Sequence, residues 1–234
     1  MTFVFSGAGM SQKASEWIDF DSPRALGFVF PVYGWRIPKI LRRRIREELK
    51  GGEWDFVWAV VTCGDDVGFV DRDLDAELEK AVGRKLDAAY SLVMPDTYLA
   101  LPGFKLDTPS ESAAKLAAAE KRARELRIRL VNRERVRDLK RGAFAWLKTR
   151  VIGGIFDRFF ANDRGFRLTR GKCIGCGECA AKCPTSSIVL DANGRPTWKK
   201  DGSCTACFRC YHLCKGDAIE WGVFTCGKGR LNAK

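Results

Sequence analysis

The chain has 234 residues, a formal net charge of +12 and a hydrophobic content of 46%. These values are ordinary for a globular chain of one or two domains, and the excess of positive charge favours acidic partners. No apolar run approaches the roughly 18 residues that a membrane span requires, and the N-terminus lacks the charged region of a signal peptide. We therefore expect neither a membrane span nor a secretion signal.

The first predicted element is a short strand, Thr2 to Phe5, which is followed by a glycine-bearing loop and then by a helix from Gln12 to about Ile18. The loop consists of Ser6, Gly7, Ala8, Gly9, Met10 and Ser11. Such a loop presents free backbone amides and a helix N-terminus, which together favour phosphate binding. A simple tight turn between strand and helix is the alternative.

Three longer apolar stretches, residues 25–33, 56–62 and 88–94, are predicted to be buried strands. Helices are predicted between them over residues 39–50 and 71–86, because apolar side chains recur there at helical spacing. Strands that alternate with helices indicate an α/β fold with a parallel sheet. Ligands of such sheets bind at the carboxyl ends of the strands.

A long basic segment follows. Thr108-Pro109-Ser110-Glu111 is a capping box with proline at the first helical position, and a helix is predicted from there to about Arg141. Residues 113–150 hold thirteen basic and four acidic side chains. We interpret this run as the solvated face of a sheet-packing helix; a docking surface for an acidic redox partner is the alternative. Because no aromatic residues interleave and no nucleic-acid module is present, we expect no nucleic acid partner.

A second amphipathic stretch, residues 143–160, is predicted to pack the two halves of the chain together. Binding to a membrane surface is the alternative. Gly153-Gly154 is expected to kink this helix. Its large apolar residues are Phe144, Trp146, Leu147, Val151, Ile155, Phe156 and Phe159.

Eight of the ten cysteines form two runs of the pattern C-x2-C-x2-C-x3-C. This is the ligand pattern of a bacterial-type ferredoxin with two [4Fe–4S] clusters, in which the fourth cysteine of each run binds the other cluster. Zinc ribbons use paired C-x2-C motifs, and disulfides need an oxidising compartment, so both are disfavoured. The crossing assigns Cys173, Cys176, Cys179 and Cys214 to cluster 1. It assigns Cys204, Cys207, Cys210 and Cys183 to cluster 2.

The rest of the cysteine-rich region is predicted to be structural. Residues 187–190 and 196–198 are expected to form a hairpin, and residues 218–224 a further strand. Cys63 and Cys226 are expected to be free thiols, and His212 to be structural. Cluster-binding cysteines without a signal peptide imply a cytoplasmic protein.

Four N-terminal motifs extend this interpretation. They are F-S-G-A-G-M-S at 5–11, G-F-V-F-P-V-Y-G-W at 27–35, V-T-C-G at 61–64 and M-P-D-T-Y at 94–98. With the cysteine runs, they resemble the EFR1-family hybrid proteins, which join a flavodoxin-like domain to a two-cluster ferredoxin. The resemblance implies a flavodoxin-like domain at 1–107, a basic helix and linker at 108–165, and a ferredoxin domain at 166–234. Because the first crossover is short, we expect the sheet to lack one edge strand and to keep four parallel strands.

The resemblance also implies FMN, with its phosphate in the loop at residues 6–11. The residues expected around the flavin ring are Pro31, Tyr33, Gly34, Trp35, Thr62, Cys63 and Gly64. The family loop usually reads S-G-T-G-N-S, so Ala8 and Met10 should weaken phosphate binding. The implied function is transfer of single electrons between two clusters, FMN and a redox partner. A flavin-dependent reductase, a ferredoxin whose flavodoxin-like domain has lost FMN, and an iron–sulfur protein that binds nucleic acid are the alternatives.

Overall fold

The computed structural model describes residues 1–49, 51–100, 103–169 and 171–231. Its N-terminal part is an α/β unit built on a five-stranded parallel sheet of order β1-β2-β3-β4-β5. The strands are β1 (Thr2–Val4), β2 (Ala25–Pro31), β3 (Phe56–Cys63), β4 (Ala88–Val93) and β5 (Arg137–Asp138). Nearly every residue of β2 and β3 is buried, which explains their unbroken apolar sequences.

Helices cover both faces of the sheet. The helices are α1 (Met10–Ile18), α2 (Lys39–Glu48), α3 (Val70–Val82) and α4 (Pro109–Val131). One core joins the sheet to α2 and α3, and a second core on the opposite face joins it to α1 and α4. The capping box at the start of α4 is confirmed, with the Thr108 amide donating to Glu111 and the Glu111 amide donating to Thr108. The predicted end of α2 at Lys50 lies outside the described residues.

The prediction of four strands, and of a helix that runs to about Arg141, is wrong. Helix α4 ends at Val131, and Arg133 takes a left-handed conformation with φ of 52°. The chain then returns along the edge of the sheet, where Arg137 and Asp138 pair in parallel with β4. Ion pairs hold this short strand, because the Arg137 guanidinium contacts Asp75 at 2.7 Å. A two-residue charged strand carries no apolar alternation from which it could be predicted.

The C-terminal part is smaller and has its own core. A helical stretch precedes it: α5 (Ala145–Leu147), a π-helix (Lys148–Ile152) and α6 (Gly153–Phe159). The remaining elements are β6 (Phe166–Leu168), α7 (Glu178–Ala181), β7 (Ile188–Leu190), β8 (Pro196–Trp198), α8 (Arg209–His212) and β9 (Ile219–Trp221). The predicted hairpin β7–β8 is confirmed, and β9 pairs antiparallel with β6, a strand that was not predicted. None of the described helices is long and apolar enough to cross a membrane.

Candidate iron–sulfur centres

The four cysteines assigned to cluster 1 line one cavity. Three of them lie in and around the loop that leads into α7, and Cys214 follows α8. Gly175 allows this loop to turn, since its φ is 69° and a Cβ there would lie 2.7 Å from the Asn193 carbonyl oxygen. The loop therefore packs directly on the β7–β8 hairpin.

The four cysteines assigned to cluster 2 line a second cavity. Its wall includes the side chains of Phe166, Trp198 and Phe208, whose rings pack on one another. In both cavities, the trailing cysteine comes from the other run, as the crossing pattern requires. The structure thus brings together all eight predicted ligands in the predicted sets, and cluster ligation by them stays a prediction.

Backbone amides point at several of these sulfurs. The Ser187 amide donates to Cys183 Sγ at 3.4 Å, and the Ala218 amide donates to Cys214 Sγ at 3.3 Å. Such bonds stabilise a thiolate or a cluster sulfur more than a neutral thiol. Burial acts in the opposite sense: it raises the pKa of Cys204 to about 12 and that of Cys179 to about 11. Metal binding at these cysteines must therefore release protons.

The two cavities differ in exposure. In the first cavity Cys176 is exposed, and the Ile174 side chain, which also lines this cavity, is 67% exposed. In the second cavity Cys204 and Cys210 are buried. No group of three or more His, Cys, Asp or Glu side chains among the described residues is placed to hold a single metal ion. The cysteines surround cavities instead, an arrangement that suits a multi-atom cluster.

The α/β unit covers the second cysteine run. The Arg209 guanidinium donates to the carbonyl oxygens of Ser6 and Gly7, both at 3.3 Å, in the first loop of the sheet. His212 Nε2 bonds the Thr97 carbonyl oxygen at 2.9 Å, which confirms a structural role for this histidine. The cysteine-rich part therefore packs against the carboxyl edge of the sheet, where a ligand was expected.

The residues predicted around FMN do gather at this edge, but other side chains fill the space between them. A Cβ at Gly7 would lie 2.6 Å from the Cys207 Cβ and would also meet the Tyr33 hydroxyl, and a Cβ at Gly34 would lie 2.6 Å from the Phe156 ring. Thr62 bonds the hydroxyl of Ser11 at 2.7 Å. As arranged, the residues do not fit a flavin ring.

The other residues predicted to contact the flavin ring also pack against protein groups. Lys148 Nζ lies 5.4 Å from the centre of the Trp35 ring, and a Cβ at Gly64 would lie 3.0 Å from Asp96. Cys63 is buried, and burial raises the pKa of its thiol to about 12. Cys226 is exposed and lies outside both cavities, and its sulfur accepts a hydrogen bond from Arg167 at 3.0 Å. Both thiols are therefore separate from the two cysteine sets.

Comparison with known proteins identifies the smaller part. Residues 166–215 match a family described as the 4Fe-4S dicluster domain. The C-terminal part is a 4Fe–4S ferredoxin-type domain. It is 42% identical over 50 residues to a ferredoxin from Pyrobaculum islandicum, an alignment that covers 20% of this chain and 44% of that protein.

A second relative, an uncharacterised protein of Methanocaldococcus jannaschii, is 30% identical over 59 residues, which covers 25% of this chain and 22% of that protein. The chain thus aligns with less than half the length of each of these curated relatives. No solved structure matches the chain. The α/β unit and the predicted boundaries at residues 107 and 165 are not covered by these matches, so the flavodoxin-like assignment stays a prediction.

Proposed function

We propose that this protein is an electron carrier, which passes single electrons to or from a redox partner through two [4Fe–4S] clusters in the ferredoxin-type domain. The observation that supports this most is the arrangement of eight cysteines around two neighbouring cavities, each completed by a cysteine of the other run. When bound, such clusters supply one-electron chemistry. The chain provides the thiolates, the amide hydrogen bonds and the apolar walls that set their potential.

The asymmetry between the cavities suggests where the partner binds. Cluster 2 would lie behind the α/β unit, whereas the cluster 1 loop carries the exposed Ile174 at its surface. Lys172, Lys182 and Lys215 are exposed around this loop. Lys215 contacts Glu178 at 3.1 Å. We infer that an acidic partner docks on this face and exchanges electrons through cluster 1.

The basic segment 113–150 is a weaker candidate for that docking site, because most of its charges have partners within the chain. Arg122 contacts Asp138 at 2.6 Å, and Arg129 contacts Glu134 at 2.8 Å. Lys140 contacts Asp65 at 2.7 Å. These ion pairs support a role of the segment within the α/β unit rather than as a docking surface.

We further propose that the α/β unit works without flavin, as a cover for cluster 2. The contacts of Gly7, Gly34 and Trp35 support this, and so do Ala8 and Met10 in the loop. One observation favours FMN instead: within the described structure, the buried hydroxyl of Ser6 has no hydrogen-bond partner. Chromatography of the supernatant after denaturation, against FMN and FAD standards, decides between them. We expect no flavin; about one FMN per chain would overturn the flavin-free proposal.

Coulometric titration of anaerobically purified protein tests electron transfer itself. We expect reversible uptake of about two electrons per chain, one for each cluster, and no turnover of small organic acceptors when the partner is omitted. A carrier gives no such turnover because it transforms no substrate. Uptake of no electrons, or sustained partner-free reduction of a small organic substrate, would contradict the proposal.

A further inference from the structure

The helical stretch before the ferredoxin-type domain turns its apolar side chains outward. Phe144 is 78% exposed, Trp146 and Phe159 are each 60% exposed, and Ile155 is 50% exposed. The remaining exposed apolar residues of this outward face are Leu147, Val151 and Ile152. The expectation that this stretch packs the halves of the chain together is correct for Phe156, whose ring lies 5.5 Å from that of Tyr98. It is wrong for the other six residues that it named, all of which are exposed.

The buried face of the same stretch is small or polar except for Phe156. Ala145, Thr149, Gly153 and Asp157 recur every four residues, and all four are buried. The Phe69 amide donates to Thr149 Oγ1 at 2.9 Å. A surface helix normally buries its apolar face. This stretch has the inverted orientation: most of its large apolar side chains face outward. Several large, exposed apolar side chains on one helical stretch indicate an interaction site.

The charges around the outward face indicate what covers it. Arg150 and Arg158 lie on the same helical stretch and are exposed. Arg150 also contacts Asp73 at 3.5 Å, whereas the Arg158 guanidinium lies 5.6 Å from the centre of the Phe159 ring. Asp157, the one carboxylate in residues 143–162, is buried and pairs with Arg42 at 3.4 Å. A second copy of the same face would bring like charges together. An anionic surface would be attracted instead.

We propose that the outward face, residues 144–159, binds an anionic membrane surface as an interfacial helix. Interfacial helices combine exposed aromatic and aliphatic side chains, which enter the headgroup boundary, with basic residues that attract anionic lipids. Here the exposed aromatic residues Phe144, Trp146 and Phe159 lie at the two ends of the stretch. The helix would hold the ferredoxin-type domain beside the bilayer without crossing it.

Flotation of the full-length holoprotein with lipid vesicles tests this proposal. We expect binding to vesicles that contain phosphatidylglycerol, weaker binding as salt is raised, and little binding to pure phosphatidylcholine. In a triple Phe144→Ser, Trp146→Ser, Phe159→Ser variant, the affinity for anionic vesicles should fall at least about tenfold, because three large apolar side chains no longer contact the membrane. Its iron content should be unchanged, since none of the three lines either cavity.

A matched variant controls for loss of exposed apolar surface in general. Ile128→Ser combined with Val131→Ser removes two exposed apolar side chains from α4, 63% and 60% exposed, and should bind vesicles as the wild type does. Arg158→Glu should reduce binding to anionic vesicles, because this exposed charge lies beside the Phe159 ring. Absence of vesicle binding by the wild type would overturn the proposal. So would a concentration-dependent dimer that the triple variant abolishes, because the face would then join two copies of this chain.

Discussion

Gly7 lies directly against Cys207: a Cβ on the glycine would sit 2.6 Å from the cysteine Cβ. The first residue belongs to the first loop of the parallel sheet, and the second belongs to the predicted ligands of cluster 2. Arg209 reinforces this contact through the carbonyl oxygens of Ser6 and Gly7. The α/β unit is therefore part of the environment of the second cysteine set.

Substitution of Gly7 by Ala should damage cluster 2 selectively. Because the added methyl group has no space beside Cys207 and the Tyr33 hydroxyl, the second run must shift. We expect loss of up to about half of the iron, with the electron paramagnetic resonance signal of cluster 1 retained.

Gly154→Ala is the matched control for this substitution. The nearest group to a Cβ there is Arg36 Nη1 at 3.8 Å, an ordinary contact. This variant should keep both clusters. Wild-type iron content in the Gly7→Ala protein would show that the first loop does not seat the second cysteine run.

Substitution of Ile174 by Glu should slow electron exchange with an acidic partner. The side chain is 67% exposed beside the cluster 1 cavity, and a carboxylate there would repel an acidic docking surface. In stopped-flow mixing with an acidic flavodoxin, we expect the bimolecular rate to fall about tenfold, equivalent to about 1.4 kcal/mol. The potential of cluster 1 is measured on the same variant, because Ile174 also lines its cavity.

Val223→Glu provides the control for added charge. Val223 is 72% exposed and lines neither cavity, so this variant should react at the wild-type rate. Equal slowing by both substitutions would place the docking site elsewhere and would point to net charge as the cause.

Asp71 should make folding stability sensitive to acid. Burial raises the pKa of its carboxyl, but hydrogen bonds from Arg141 and then Arg137 outweigh burial and hold this pKa below its usual value. A carboxylate with a lowered folded-state pKa contributes stability above its unfolded pKa of about 4. That contribution is lost as pH falls through the folded-state value.

Asp71→Asn should therefore lower the free energy of unfolding at pH 7, by roughly 1–3 kcal/mol. The difference from wild type should shrink as pH falls below about 4. Denaturant titration followed by tryptophan fluorescence measures both. Asp65→Asn is the control: Asp65 is 80% exposed and pairs with Lys140, so little change is expected. A pH-independent difference for Asp71→Asn would contradict this electrostatic account.

The sequence predicts most of the sheet and both cysteine sets, because these features depend on local patterns. Unbroken apolar strands and fixed cysteine spacing need no knowledge of distant contacts. Strand β5 was not predicted because it depends on contacts with residues distant in sequence. Arg137 and Asp138 pair with β4, and the Arg137 side chain contacts Asp75.

Two features of the site depend on tertiary contacts. The expected flavin site is filled partly by Cys207, which contacts Gly7. Because these two residues are far apart in sequence, local patterns do not reveal this contact. Helical periodicity shows that Phe144, Ile155 and Phe159 share a face, but it does not show whether that face is buried. The inverted orientation is visible only once Thr149 and Gly153 are placed against the α/β unit.

Substitution of the fourth cysteine of each run tests whether that cysteine binds the cluster of the other run. Cys183 follows the first run but lines the second cavity, and Cys214 follows the second run but lines the first. Cys183→Ala should therefore damage cluster 2, and Cys214→Ala should damage cluster 1, as followed by electron paramagnetic resonance of the reduced proteins. Damage confined to the cluster of the local run would contradict the assignment.

Iron and acid-labile sulfide analysis of anaerobically purified wild-type protein is the most direct test of the two-cluster account. Two cubane clusters predict about eight iron and about eight sulfide per chain. About four of each would mean that one cysteine set holds no [4Fe–4S] cluster. Zinc without sulfide would contradict the iron–sulfur assignment of both cavities.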